Sequence, residues 1–123
     1  MANSPDFIAY VQELMRGAGT VSARAMFGGH GIYLDGIIVA IVVADVLYLK
    51  TDAESRAAFV DRSCVPFEYE KKKEGKVEVT SYYQPPEEAL ESPAAMRDWL
   101  RLAQGAALRA AAKRAPSRRK RGR

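Results

Sequence analysis

The spacing of hydrophobic positions changes several times along the chain, and each change marks an element. Phe7, Ile8, Val11, Leu14 and Met15 recur three and four apart, as one face of a helix requires. Ser4-Pro5 ahead of them fits an N-cap followed by proline at the first helical position, and Gly17 or Gly19 can end the segment. From Val21 the period drops to two, with Val21, Ala23, Ala25 and Phe27 on one face and Ser22, Arg24 and Met26 on the other. Asp35-Gly36 separates the apolar segments Ile32–Leu34 and Ile37–Val43 and predicts a hairpin, because a two-residue primed turn needs the positive φ that Asp and Gly tolerate. Ala44-Asp45 is a second, weaker turn signal before Val46–Lys50. These pieces predict a three-stranded antiparallel meander at the centre of a sheet: Val21–Phe27 leading into Ile32–Leu34, then Ile37–Val43, then Val46–Lys50.

The run Ile37-Ile38-Val39-Ala40-Ile41-Val42-Val43 does not alternate. A strand apolar on both sides is covered on both sides. Three predicted helices cover one face of a small sheet and strain to cover two. Part of the second face, or an edge, is therefore expected to be covered by another copy of the chain, a homodimer being the simplest closed solution. The alternative is a monomer with helices on both faces.

Thr51-Asp52-Ala53-Glu54 reads as a capping box that opens a short helix to about Asp61, broken by Ser63-Cys64-Val65-Pro66. Phe67-Glu68-Tyr69 begins a strand, Lys71–Gly75 makes a charged turn, and Lys76–Tyr83 returns. The lysines make this hairpin an expected sheet edge. Gln84-Pro85-Pro86 stops it, and Pro86–Leu90 suits one turn of helix. Ser92-Pro93 repeats the cap-then-proline signal before a last helix to about Ala112, with Met96, Trp99, Leu100, Ala103, Ala107 and Ala110 on one stripe. The expected fold is α+β: an antiparallel sheet of about five strands, in the order α-β-β-β-α-β-β-α, with helices packed against it.

Charge divides the chain in two. Residues 113–123 hold seven of its nineteen Lys and Arg (Lys113, Arg114, Arg118, Arg119, Lys120, Arg121, Arg123) and no acid. Residues 1–112 keep twelve basic against fifteen acidic residues, so the body is not a basic nucleic-acid binder by composition. The tail cannot bury a core and is expected to be disordered. Two readings of it stay open: a solubilising terminus, or a non-specific contact to nucleic acid through counterion release. A single Cys64 forms no intrachain disulfide and suits a reducing compartment. With no signal peptide or membrane span expected, a cytoplasmic location is.

Candidate chemistry is sparse. Gly28-Gly29-His30-Gly31 lacks both the Lys-Ser/Thr pair of a phosphate loop and the following helix of a dinucleotide fingerprint, so a sharp bend or bulge is expected there. His30 is the only histidine, and with one cysteine beside it only carboxylates could complete a metal set. No cofactor and no catalytic set is expected. Arg24 and Lys50 are expected to be solvated or ion-paired. Tyr33, Tyr48, Tyr69, Tyr82 and Tyr83 resemble the aromatic platforms of single-strand binders, but those lie in basic grooves, so core or interface packing is expected.

One block is specific: Val21-Ser22-Ala23-Arg24-Ala25-Met26-Phe27-Gly28-Gly29, then Gly31-Ile32-Tyr33-Leu34-Asp35-Gly36. With Leu47-Tyr48-Leu49-Lys50, Pro66-Phe67-Glu68-Tyr69, Tyr82-Tyr83 before Pro86-Glu87-Glu88, and Trp99, it resembles the N-terminal domain of the TfoX/Sxy family of bacterial competence regulators. The likeness covers roughly residues 7–112. The motif positions it implies are structural: Met26, Phe27, Gly28, Gly29, Gly31, Tyr33, Asp35, Gly36, Tyr48 and Lys50. It implies an α+β fold and a non-enzymatic regulatory role. Its protein partner would lie in the transcription machinery, since family members act with a cyclic-AMP-responsive transcription factor on DNA-uptake genes. The family's second helical domain has no counterpart after residue 112, where only the basic tail follows.

Overall fold

The computed structural model describes the backbone of residues 3–26, 28–71 and 76–114, and the side chains of these except 69–71 and 76–79. The sheet is antiparallel throughout and has six strands: β1 (Val21–Met26), β2 (Gly29–Leu34), β3 (Ile37–Val43), β4 (Val46–Lys50), β5 (Pro66–Lys71) and β6 (Lys76–Tyr83). Their spatial order is β1-β2-β3-β4-β6-β5, so the β5–β6 hairpin docks on β4 through β6 and leaves β5 at the edge. The sixth strand arises where one strand was expected to lead into the next. Gly28, at φ +77°, turns the chain so that Met26 pairs with Gly29 and β1 folds back along β2. The two following turns use left-handed pairs, Asp35-Gly36 at φ +52° and +87° and Ala44-Asp45 at +52° and +60°. Both match the primed geometry that follows the twist of the strands.

The unbroken apolar run of β3 stays apolar on both faces and contains one irregularity. Ala40 faces Ile32 while Ile38 faces Tyr33, so Val39 is an extra residue, a β-bulge. The bulge places Val39 and Ala40 together on the buried side and returns Ile38, Ile41 and Val43 to the other.

Three helices lie on one side of this sheet: α1 (Pro5–Met15), α2 (Arg56–Asp61) and α3 (Pro93–Arg114). Ser4 caps α1 by accepting from the Phe7 amide at 3.1 Å. Ile8, Val11, Leu14 and Met15 of α1 and Met96, Leu100, Ala103 and Ala107 of α3 share one core with Ile32, Leu34, Val42, Leu47 and Leu49. Small residues on α3 bring it close to β3 and β4, while α2 contributes Phe59, packed edge-on to Trp99 at 5.1 Å. One core takes all three helices, so the monomer with helices on both faces is not what forms. Among the described residues no helix is long and apolar enough to cross a membrane.

α2 begins only at Arg56, later than the capping box predicts, with Ser55 at its N-cap making no side-chain cap bond. Thr51 spends its hydroxyl on Ser81 O across the sheet, at 2.7 Å. Asp52 takes its place: its carboxylate accepts from the Glu54 and Ser55 amides and from both Nε and a terminal nitrogen of Arg109 on α3. That guanidinium fork holds the Asp52 carboxyl well below the usual carboxylate range. Because the folded group titrates lower than the unfolded one, its contribution is whole above about pH 4 and drains away as pH falls below that. Asp52→Ala removes these amide and guanidinium bonds at a cost of about 1 kcal/mol. Its urea midpoint should lie below that of the parent near pH 6, and the gap should narrow by about pH 3.

The last helix runs to Arg114, so Lys113 and Arg114 are its final two residues. Phe27, the turn at 72–75 and the tail from 115 onward (Arg118, Arg119, Lys120, Arg121 and Arg123 included) lie outside the described residues, as does the side chain of Tyr69.

Candidate functional site

With all helices on one side, strand alternation assigns the other. Met26, Gly31, Tyr33, Ile38, Ile41, Val43, Val46, Tyr48, Lys50 and Tyr82 point away from the core, and no described element covers them. Each is half-buried by its neighbours except Gly31, which is buried. Gly31 shows how the centre is made. A Cβ there would lie 2.8 Å from Met26 Sδ and 3.2 Å from both Tyr33 and Ile38, so those side chains close over a glycine floor.

Aromatic rings and cations alternate across this open face. The Arg24 guanidinium of β1 stands 5.0 Å from the centroid of Tyr33 on β2. The Lys50 ammonium of β4 stands 5.1 Å from that of Tyr82 on β6. Tyr48 meets Phe67 edge to face at 5.1 Å. Arg24 and Lys50, expected to be solvated or ion-paired, thus rest on rings at an attraction of about 0.5–1 kcal/mol each, and Arg24 stays exposed. Burial pushes the phenols of Tyr82 and Tyr48 up, and Tyr33 adds to the effect at Tyr82. Burial also pushes the Lys50 ammonium down, with Arg114 at the end of α3 adding to it and Asp52 opposing.

No acidic side chain among the described strand residues points out of this face. Asp52 turns to Arg109, Asp35 accepts from the Thr20 amide, and Asp45 accepts from the Ser4 amide. Net negative charge gathers elsewhere, on α1 with Asp6 and Glu13 and around the 3-10 turn at Glu87–Glu91. Summed composition hides that division. Strand parity was the signal that could have found it.

The glycine-rich stretch builds backbone contacts. Gly29 lies so close to β3 that a Cβ would fall 2.4 Å from Val42 O. His30 points to the core side, where its Nδ1 accepts from Asn3 Nδ2 at 2.8 Å. The same amide nitrogen donates to Val42 O at 2.9 Å, and Asn3 Oδ1 accepts from the Asp45 amide. The Asp45 bond fixes which end of the amide is oxygen, and so makes Nδ1 the unprotonated nitrogen of the ring. Cys64 packs against the core behind α2, where burial pushes its thiol up and away from the reactive thiolate. Among the described residues no three His, Cys, Asp or Glu side chains group as metal ligands.

A groove of about 450 Å³ runs on the opposite side between the end of α1 and the start of α3. Leu14, Ala18, Ala94 and Leu100 form its apolar wall, with Arg97 and Arg101 at the rim. It gathers no nucleophile, base or acid.

Comparison with known proteins adds one finding. Curated proteins give no match to the chain. The model of the TfoX N-terminal domain matches residues 13–107, which takes in every strand, α2, most of α3, the end of α1 and the whole open face. The chain belongs to the TfoX N-terminal domain family, a family of competence-related regulatory domains.

Proposed function

We propose that the chain is a non-enzymatic interaction domain that acts by docking another macromolecule on its open sheet face. The observation that carries this reading is the asymmetry of the sheet. One face is sealed by three helices, while the other presents aromatic and β-branched side chains with no described element over them. A contiguous apolar patch of that kind on a small domain marks a contact surface. The family supports a regulatory role exerted by contact, in line with competence control.

A photoreactive amino acid placed at Ile41, in the middle of the face, tests it in living cells. Crosslinked adducts are expected from that position and not from Arg97 on the helix side. Adducts from Arg97 alone would move the contact to the groove between α1 and α3 and end this reading.

A further inference from the structure

We propose that the macromolecule seated on the open face is a second copy of this chain, the two sheets packing face to face about a two-fold axis that passes by Ile41. This inference rests on the docking reading and names its occupant.

The middle of the face sets the chemistry. Strand register places Ile41 between Gly31 and Tyr48, with Val43 and Val46 paired toward one end and Ile38 and Tyr33 toward the other. The six side chains of this group are aliphatic or aromatic, and none is charged. The described cations stand at its margin: Arg24 is exposed on the edge strand β1, and Lys50 is the last residue of β4. An apolar centre inside a charged rim is the anatomy of a protein interface, and permanent homodimer contacts are the more apolar ones.

The bulge in β3 bears on the same point. Ile38 and Ile41 are three positions apart, so plain alternation would turn one of them toward the helices. The extra residue at Val39 turns both outward and so enlarges the apolar centre.

Size agrees. The sheet has six strands, from five residues in β4 to eight in β6. At about 4.8 Å between strands and about 3.3 Å per residue, its face has a flat footprint on the order of 500 Å². Two such faces reach the total of about 1,000 Å² that a specific contact needs, and the relief of their side chains adds to it. Shape favours a copy as well. Stacked sheets lie about 10 Å apart with their strands within about 30° of each other, an angle set by the twist of each sheet. A second copy brings a sheet of equal twist, and the two-fold axis closes the pair so that neither apolar face is left in water.

Sedimentation equilibrium of the full chain tests this. At roughly 10–100 μM chain, where an interface of this size associates, the mass should be twice the 13.6 kDa of one chain. Ile41→Glu sets one carboxylate per copy beside the axis. A central hot spot is worth about 30-fold, so the two together should raise the dissociation constant roughly 1,000-fold. Ile41→Val, and Arg97→Glu on the helix side, should both leave the dimer intact. Circular dichroism shows whether Ile41→Glu is folded. If it is not, the purified chain with the photoreactive residue at Ile41 decides, since illumination should join it to a second copy.

A parent chain that stays monomeric through that range, or a dimer that folded Ile41→Glu leaves intact, overturns the inference. So does a photoreactive residue at Ile41 that joins no second copy in the purified chain. The docking reading is judged separately, in cells. Adducts of Ile41 there with a different macromolecule keep that reading while the inference falls. A monomeric chain that also gives no adduct in cells ends both.

Discussion

Phe59→Ala should lower the stability of the domain by about 3–5 kcal/mol, the range for deleting a fully buried aromatic side chain. Phe59 has no exposed surface and is the largest of the wholly buried side chains. It is also the one buried residue that α2 contributes. Its ring meets Trp99 of α3 at 5.1 Å and Tyr83 of β6 at 6.1 Å, so it joins the short helix to the long one and to the sheet. A helix of six residues has no stability of its own in water. Without Phe59, α2 loses its hold on the core, leaving only surface ties such as the pairing of Arg62 with Glu88. A thermal melt followed by circular dichroism should show the midpoint falling by roughly 10–30 °C. A fall of only a few degrees would mean that the neighbouring rings collapse into the space.

Gly29→Ala should cost about 3 kcal/mol, the upper end for overpacking a close-fitting site. The obstacle is backbone: the new methyl would meet Val42 O at 2.4 Å and Val43 Cγ2 at 3.3 Å. A carbonyl oxygen held in a ladder cannot rotate aside as a side chain can. Moving it also disturbs the Asn3 side chain that donates to it, and through Asn3 the bond to the Asp45 amide. Hydrogen exchange at Asp45 should therefore quicken in the variant, well away from the substituted residue in sequence. Two neighbours give the contrast. At Gly31 the nearest obstruction is the sulfur at the flexible end of Met26, which can swing, so alanine should be tolerated better there. At Gly28 nothing lies within 4 Å, and the cost is only the left-handed backbone at φ +77°, about 1–2 kcal/mol. If all three substitutions cost the same, close approach is not what Gly29 provides.

Much of this architecture can be read from residues that act on their immediate neighbours. Ser4-Pro5 starts a helix and Asp35-Gly36 turns a hairpin, because cap and turn geometry is settled within three or four positions. What could not be read depends on partners distant in the chain. Thr51 looks like a cap until Ser81 arrives from another strand and takes its hydroxyl, leaving the amides to Asp52. The monotonous apolar run of β3 reads as a strand buried on both sides. The helices meet only one side, and an extra residue at Val39 shifts the alternation midway, leaving Ile38, Ile41 and Val43 on the other. The open face is the clearest case. Arg24 and Tyr33 are nine positions apart, and they meet only because the register of β1 on β2 sets Arg24 opposite Gly31, one floor below the tyrosine. Nor does the sum of charges over residues 1–112 tell where each one points.

That partition of charge gives the domain a direction. Glu87, Glu88 and Glu91 gather in one short turn, whereas the described charges of the open face are the cations Arg24 and Lys50, so these two regions carry opposite sign. In the field of a charged partner such a body turns before it collides and presents the region whose sign opposes the partner's. Added salt, by screening that torque within about 10 Å, would slow the encounter.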